Sequence, residues 1–150
     1  MILEIKFKFL NKQLRNEVWK LSNLTPEEAQ NLAIFLGNIT QHTDLEALAL
    51  VTREGMRLAF SAVPGYDINP DQLSSMAAVI LQSSNEAVQK MGYDYLSECV
   101  IRGQSSFMVI AAAGRFFLVG ASRDTKDLGK VVSVFRFYAK KIADAYPSNR

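Results

Sequence analysis

The residue types that carry most enzyme chemistry are scarce in this chain of 150 residues, which has one histidine, His42, and one cysteine, Cys99. A zinc site built on these two would need two carboxylate ligands, and no Asp or Glu stands at a spacing that such sites use. A serine hydrolase would have to use His42 as its base. Residues 103–107, Gly-Gln-Ser-Ser-Phe, have Phe107 where the second glycine of a nucleophile elbow would stand. We therefore predict no catalytic and no metal-binding residues.

Composition and charge exclude several other classes of protein. The Gly-x4-Gly-Lys-Ser/Thr pattern of phosphate-binding loops does not occur. The 17 basic and 15 acidic residues give a net charge of +2, which is too balanced to indicate a nucleic-acid partner. The N-terminus lacks the features of a signal peptide, and no apolar run reaches the roughly 18 residues that a membrane span needs. We expect a cytoplasmic, non-enzymatic protein with no cofactor, no bound nucleic acid and no direct membrane insertion.

Three consecutive apolar runs in the second half of the chain indicate antiparallel strands. The runs are short, rich in Val, Ile and Phe, and separated by Gly103 and Gly114. One long helix would place these glycines in its interior at a cost of about 1 kcal/mol each. Two earlier runs flank the tight turn Arg53-Glu54-Gly55 and indicate a hairpin. The expected strands are 45–52, 56–63, 95–102, 105–113 and 115–122.

Three helices are predicted from their start signals. Thr25-Pro26-Glu27-Glu28 has the residues of a capping box with proline at the first helical position. Asn69-Pro70-Asp71-Gln72 likewise has a capping residue followed by proline at the first helical position, and the helix that it begins should stop at Gly92. Asp124-Thr125-Lys126-Asp127 is expected to cap the third helix. The predicted helices run from 25 to about 43, from 69 to about 91, and from 124 to about 145.

The predicted order is an N-terminal extension followed by α, β, β, α, β, β, β, α. This order indicates one α+β domain, an antiparallel sheet with helices on its faces. We assign residues 1–24 to the extension and 25–150 to the domain. In the extension, Ile5, Phe7 and Phe9 alternate with lysines as in a half-buried strand, and a helical turn or two is expected after Asn11.

Several side chains have expected roles that are structural rather than chemical. Cys99 lies inside a strand and is expected to be buried and inert. Glu98 and Arg102 share one face of that strand and are expected to form a surface ion pair. Turn residues Arg53, Glu54 and Arg115 are expected to be solvated, and the residues expected to face the core include Met56, Met76, Met91 and Met108.

The element order and two stretches resemble the roadblock/dynein-light-chain family, whose fold is similar to the profilin and longin folds. The stretches are LEALALVTREGMRLAFSAV at 45–63 and GRFFLVGASRDTKDLGKV at 114–131, and the helix carrying Met76-Ala77-Ala78 joins them. The resemblance covers 25–145. It implies a five-stranded antiparallel sheet in the order 2-1-5-4-3 with helices on both faces. It also implies a homodimeric scaffold or regulator of Ras-like small GTPases.

The same resemblance implies two interaction surfaces. The third strand would lie at a sheet edge and pair with its copy in a second chain, which would remove an edge prone to aggregation. The residues expected in this dimer interface are Tyr95, Leu96, Ser97, Cys99, Val100 and Ile101. The second helix would lie over the joint and offer a weakly charged outer side to a GTPase, through Gln72, Ser75, Val79, Gln82, Glu86 and Gln89.

Two alternative functions remain open at this point. One is a ligand-sensing module with a cavity lined by Phe60, Phe107 and Phe117. The other is a structural light chain within a larger complex, which differs from a GTPase scaffold only in its partner.

Overall fold

The computed structural model describes residues 24–124 and 126–148, which form three helices and five strands in the predicted order. The strand and helix predicted before Leu24 lie outside the described residues. We label the elements in chain order. They are α1 (Pro26–His42), β1 (Ala47–Thr52), β2 (Arg57–Ala62), α2 (Pro70–Lys90), β3 (Glu98–Arg102), β4 (Phe107–Ala113), β5 (Phe116–Ser122) and α3 (Leu128–Ala145).

The five strands form one antiparallel sheet in the order β2-β1-β5-β4-β3, which confirms the predicted topology. β1 lies near the centre, where Ala49 pairs with Phe60 of β2 on one side and with Val119 of β5 on the other. β3 forms one edge and pairs with β4, with Val100 opposite Val109.

The first two helix starts are built as predicted. The Thr25 hydroxyl accepts a hydrogen bond from the Glu28 amide at 3.1 Å, and the Glu28 carboxylate accepts one from the Thr25 amide at 2.9 Å. The Asn69 side-chain oxygen accepts from the amides of Asp71 and Gln72, both at 3.0 Å. These bonds satisfy amides that have no partner inside the helix.

The cap predicted for α3 is wrong in its chemistry. Asp127 stands at the N-cap position but makes no capping side-chain hydrogen bond. Asp124 Oδ1 instead accepts from the Lys126 amide at 3.0 Å, as in an Asx turn that precedes the helix. The helix therefore begins at Leu128, later than the sequence indicates.

The helices cover the two faces of the sheet unequally. α1 and α3 share one face, and their core includes Leu36, Phe107 and Phe135. α2 alone covers the other face, where Phe60 and Phe117 are buried. Because Phe107 lies on the opposite side of the sheet from these two, the three phenylalanines cannot line one cavity, and the pocket predicted for a ligand-sensing module is wrong.

α2 crosses its face from one edge of the sheet to the other. Near its start, Asp71 forms an ion pair with Arg57 of β2 at 3.3 Å. Toward its end, Asn85 Oδ1 accepts from the amide of Leu96 at 2.8 Å, just before β3. This path places the last turns of α2 beside the free edge strand.

The predicted core face of α2 is too wide. One helix on a sheet buries a narrow stripe, which here includes Leu73, Ala77 and Leu81. Met76 and Met91 lie beside this stripe and are 48% and 66% exposed. Met56, in the β1–β2 turn, is also exposed, and Met108 is half-buried.

Candidate protein-binding surface

The outer edge of β3 is open among the described residues, because β3 pairs with β4 alone. Its side chains alternate between the two faces of the sheet. Glu98 contacts α3 through Arg136, whereas Cys99 lies near Ser84 of α2, with 3.9 Å between sulfur and hydroxyl oxygen. Val100 therefore points to the α3 side and is 43% exposed, and Ile101 points to the α2 side and is 39% exposed.

The predicted start of the third strand at Tyr95 is wrong, since β3 begins at Glu98. Asn85 holds the Leu96 amide, and Leu96 packs against the core beneath α2. The Ser97 carbonyl accepts from the Ala112 amide at 2.9 Å. Tyr95 is exposed and precedes the strand. Of the residues predicted for the dimer interface, Tyr95, Leu96 and Ser97 thus belong to the α2–β3 connection.

The ion pair predicted between Glu98 and Arg102 does not form. Residues four apart on a strand lie about 13 Å from each other, too far for side chains of one strand to pair. Glu98 Oε1 instead accepts from Arg136 Nε of α3 at 2.5 Å. The other oxygen, Glu98 Oε2, is shielded from solvent and has no hydrogen-bond partner in the described part of the chain.

A groove of about 260 Å³ runs beside this ion pair, between α3 and the sheet. Small side chains form much of its lining, among them Ala111, Ala139 and Ala143. The groove exists because α3 packs over β4 and leaves the face of β3 beside it uncovered. The α3 side of the edge strand is therefore accessible at this groove and at Val100.

The predicted outer side of α2 is exposed throughout, at Gln72, Ser75, Val79, Gln82, Glu86 and Gln89. Val79 is 62% exposed. Glu86 forms an ion pair with Lys90 one turn later, at 2.9 Å. Gln82 donates to the main-chain carbonyl of Arg53 at 2.9 Å, so part of its polar group is already used within the domain. The face carries little net charge.

Exposed apolar side chains are concentrated on α2, β3 and the connection between them. Of the ten large apolar side chains that are exposed in the described residues, seven lie in this region. The helical pattern of the sequence assigns Met76 and Met91 to the core and does not single out Tyr93. The sequence signal that could have indicated their exposure is the width of the apolar stripe on α2, which exceeds what one helix can bury on a sheet. The seven residues are Met76, Val79, Met91, Tyr93, Tyr95, Val100 and Ile101, and we refer to them as the α2–β3 patch.

Arg53 and Arg115 are not solvated turn residues, contrary to prediction. The Arg53 guanidinium donates to the Gly114 carbonyl and lies 5.2 Å from the centre of the Phe117 ring. Arg115 lies over Phe116 and Tyr146, at 5.5 and 5.6 Å from the ring centres. Such contacts between cations and aromatic faces are attractive. The two arginines therefore hold the turns of the sheet against its core.

One further ion pair closes the opposite end of the sheet. Arg123, which follows β5, donates to both carboxylate oxygens of Glu46, which precedes β1. These hydrogen bonds hold the pKa of Glu46 below its ordinary value of 4.5. The Arg123 guanidinium also lies 4.6 Å from the centre of the Tyr66 ring.

Neither a metal-ligating cluster nor a membrane-crossing helix occurs in this part of the chain. Within residues 24–124 and 126–148, no three His, Cys, Asp or Glu side chains are grouped so as to hold a metal ion. None of the helices described there has the length and apolar character to cross a bilayer.

Comparison with known proteins agrees with this geometry. Residues 33–121 match the family model of the Roadblock/LC7 domain. The chain belongs to the roadblock/LC7 family. Comparison with curated protein sequences gave no match.

Solved structures of MglB are similar to this member of the roadblock/LC7 family. MglB in a tetrameric arrangement is 22% identical, with a TM-score of 0.68 over 77% of this chain and 87% of the other. The gliding protein MglB from Thermus thermophilus is 21% identical, with a TM-score of 0.68 over 77% and 90%. Myxococcus xanthus MglB is 15% identical, with a TM-score of 0.71 over 81% and 92%. At these identities the likeness shows a shared fold.

Proposed function

We propose that this protein is a non-enzymatic homodimeric scaffold or regulator that binds a Ras-like small GTPase in the cytoplasm. In this role it modulates the hydrolysis cycle or the localisation of the GTPase. The observation that carries the proposal is the α2–β3 patch, because exposed apolar side chains gathered in one region mark a protein-binding surface. Membership of the roadblock/LC7 family supports the same interpretation.

The edge of β3 is the proposed dimer interface. Two β3 strands that pair across a two-fold axis satisfy their free main-chain groups and form an isologous contact. The pairing also removes an open edge that would otherwise recruit other chains. Cys99, Val100 and Ile101 lie on this edge, and Tyr95, Leu96 and Ser97 approach it from the connection. The tetrameric arrangement of one similar MglB structure supports self-assembly of this fold.

The outer side of α2 is the proposed GTPase-binding face. Its side chains are neutral apart from Glu86, whose charge is balanced by Lys90, so that covering the face removes few charges from water. Val79 provides an exposed apolar contact near the middle of the helix. Because α2 contains no arginine, stimulation of hydrolysis would act by reorganising the GTPase's own catalytic residues.

The proposal is tested by two measurements on the full chain. Light scattering should give the mass of a dimer. Single-turnover GTP hydrolysis by a small GTPase from the same genome should change when the protein is added, or the two proteins should co-elute. Val79→Asp should weaken the effect without changing the dimer mass, whereas Ile34→Asp, on the exposed side of α1, should leave both unchanged.

Two outcomes would contradict the proposal. A monomeric mass would remove the homodimer. Unchanged hydrolysis together with no co-elution, across the small GTPases of the genome, would remove the GTPase. Recovery of a larger complex that lacks any GTPase would point to a structural light chain instead.

A further inference from the structure

We propose that two copies of this chain pair through β3 in one specific register, in which Glu98 of each copy forms an ion pair with Arg102 of the other. The inference rests on the proposed homodimer and adds what determines its alignment. It assigns a binding role to Glu98 and Arg102, whose hydrogen-bonding groups are not all paired among the described residues.

Glu98 has hydrogen-bonding capacity to spare. An ionised carboxylate offers about four acceptor sites, and the side-chain donor that reaches Glu98 among the described residues is Arg136 Nε, at 2.5 Å from Oε1. Its second oxygen has no partner in the described residues, although it is shielded from solvent. A shielded carboxylate oxygen without a donor costs free energy, so rotation of the Glu98 side chain toward a cation at the open strand edge is favoured.

Arg102 offers the donors that the Glu98 carboxylate could accept from. It is exposed at the end of β3, and no ion pair or side-chain hydrogen bond joins it to another described residue. It points to the same face of the sheet as Glu98, because side chains two and four positions apart on a strand share a face. The separation of about 13 Å prevents the pair within one strand, but an antiparallel second copy reverses the order of the two residues.

Strand geometry limits the possible registers. In a dimer whose two-fold axis is perpendicular to the sheet, directly opposite residues point to the same face. The pairing can therefore shift only so that even-numbered positions stay opposite even-numbered ones. If Val100 lies opposite Val100 of the second copy, Glu98 lies opposite Arg102 twice, and Cys99 lies opposite Ile101 on the α2 side.

The neighbouring registers are poorer. Moving one strand by two residues relative to the other, in one direction, places Cys99 opposite its own copy and Glu98 opposite Val100. A shift in the other direction places Ile101 opposite its own copy and Arg102 opposite Val100. Each leaves a charge facing a valine, whereas the register centred on Val100 joins opposite charges at both ends of the strand. Opposite charges across two strands stabilise the pairing, and like charges oppose it.

Cysteine cross-linking distinguishes these three registers, because a disulfide requires Cα atoms less than about 7 Å apart. Under mild oxidation, the double variant Cys99→Ser/Val100→Cys should cross-link fastest. The wild-type protein reports the first shifted register through Cys99. Cys99→Ser/Ile101→Cys reports the second. Fastest cross-linking of either of the latter two, in a protein that remains dimeric, would overturn the register and leave the homodimer intact.

The ion pair itself is tested by the dimer dissociation constant, measured by sedimentation at low salt. Arg102→Glu places like charges opposite each other at both ends and should weaken the dimer by about tenfold or more, with a smaller effect at high salt. Lys130→Glu, an exposed reversal on α3, is the matched control for net charge. Equal dissociation constants for the two variants would overturn the ion pair. A wild-type protein that is monomeric would instead refute the homodimer on which the inference rests.

Discussion

The carbonyl oxygen of Gly114 accepts two hydrogen bonds from the Arg53 guanidinium, from Nη2 at 2.7 Å and from Nε at 3.2 Å. Arg53 belongs to the β1–β2 turn and Gly114 to the β4–β5 turn, so these bonds join two hairpins that are distant in sequence. The main-chain carbonyl of Arg53 also accepts from Gln82 of α2. One arginine thereby links two turns and a helix.

Arg53→Lys should destabilise the fold although it keeps the charge. Lysine lacks the planar fork that reaches one carbonyl with two donors, and it loses the stacking on Phe117. We expect the free energy of unfolding to fall by about 1–3 kcal/mol, as measured by urea denaturation. Glu54→Ala, in the same turn and exposed, should change it by less than about 0.5 kcal/mol. Equal losses in the two variants would contradict the role assigned to Arg53.

Gly114→Ala and Gly65→Ala separate backbone strain from steric overlap. Both glycines have positive φ, +62° and +83°, and alanine there should cost about 1 kcal/mol. A Cβ atom at Gly65 meets nothing within 4 Å. At Gly114 it would overlap the Tyr146 carbonyl oxygen and lie 2.9 Å from Ala143 Cα, so the end of α3 must move. We expect Gly114→Ala to cost about 3 kcal/mol or more in thermal or urea unfolding. A loss no larger than that of Gly65→Ala would refute this contact.

Glu46→Gln should change how stability depends on pH. Arg123 lowers the pKa of Glu46 in the folded protein, so the contribution of the ionised carboxylate is present above about pH 4.5 and is lost as pH falls through the folded pKa. The variant should be less stable than the wild type at pH 7, and the difference should narrow below pH 4.5. Denaturation midpoints of the variant and the wild type between pH 7 and pH 3 measure this difference in stability.

Arg123→Gln provides the reciprocal control for Glu46. It removes the side-chain donor that contributes most to lowering the pKa of Glu46, whereas the residue 123 amide keeps its hydrogen bond to Oε1, so the variant should reproduce most of the narrowing. The double variant should lose little more than either single one, because both changes remove one interaction. A difference between Glu46→Gln and the wild type that stayed constant across this pH range would count against the pair.

Ile101→Asp should convert the proposed dimer to a monomer or to insoluble protein. It places a carboxylate on the α2 side of the edge strand, where pairing would remove it from water. Light scattering measures the mass, and circular dichroism checks that the domain remains folded. Ile34→Asp, at a similarly exposed isoleucine on α1, should keep the mass of the wild type. A dimeric Ile101→Asp variant would show that β3 is not the interface.

Local signals made the framework predictable. The caps at Thr25 and Asn69 depend on residues within one helical turn, and the strand pattern around Gly103 and Gly114 depends on nearest neighbours. The sheet order followed from the family resemblance, which rests on these same elements. The caps and the strand pattern can be recognised without knowing which distant parts of the chain lie beside them.

Long-range contacts were not predictable from pattern. In the sequence, Arg53 cannot be distinguished from a solvated turn arginine, because its partner Gly114 is brought beside it only by the fold. The strand pattern pairs Glu98 with a residue of its own strand, and the true partner, Arg136, lies on α3. Met76 and Met91 fit the helical period of α2, but their exposure depends on how much of the helix the sheet covers. Among these residues, Met76 and Met91 belong to the α2–β3 patch, and Glu98 lies on the open edge strand.

The position of β1 in the sheet has a consequence for biosynthesis. β1 lies between β2 and β5, and Ala49 pairs with Val119, which a ribosome adds much later. The β1–β2 hairpin can close early, but the other side of β1 has no native partner until β5 emerges. Sheets that depend on such distant pairings fold slowly and expose strand edges while they do so. β1 therefore stays half-paired while the ribosome adds residues 63–122.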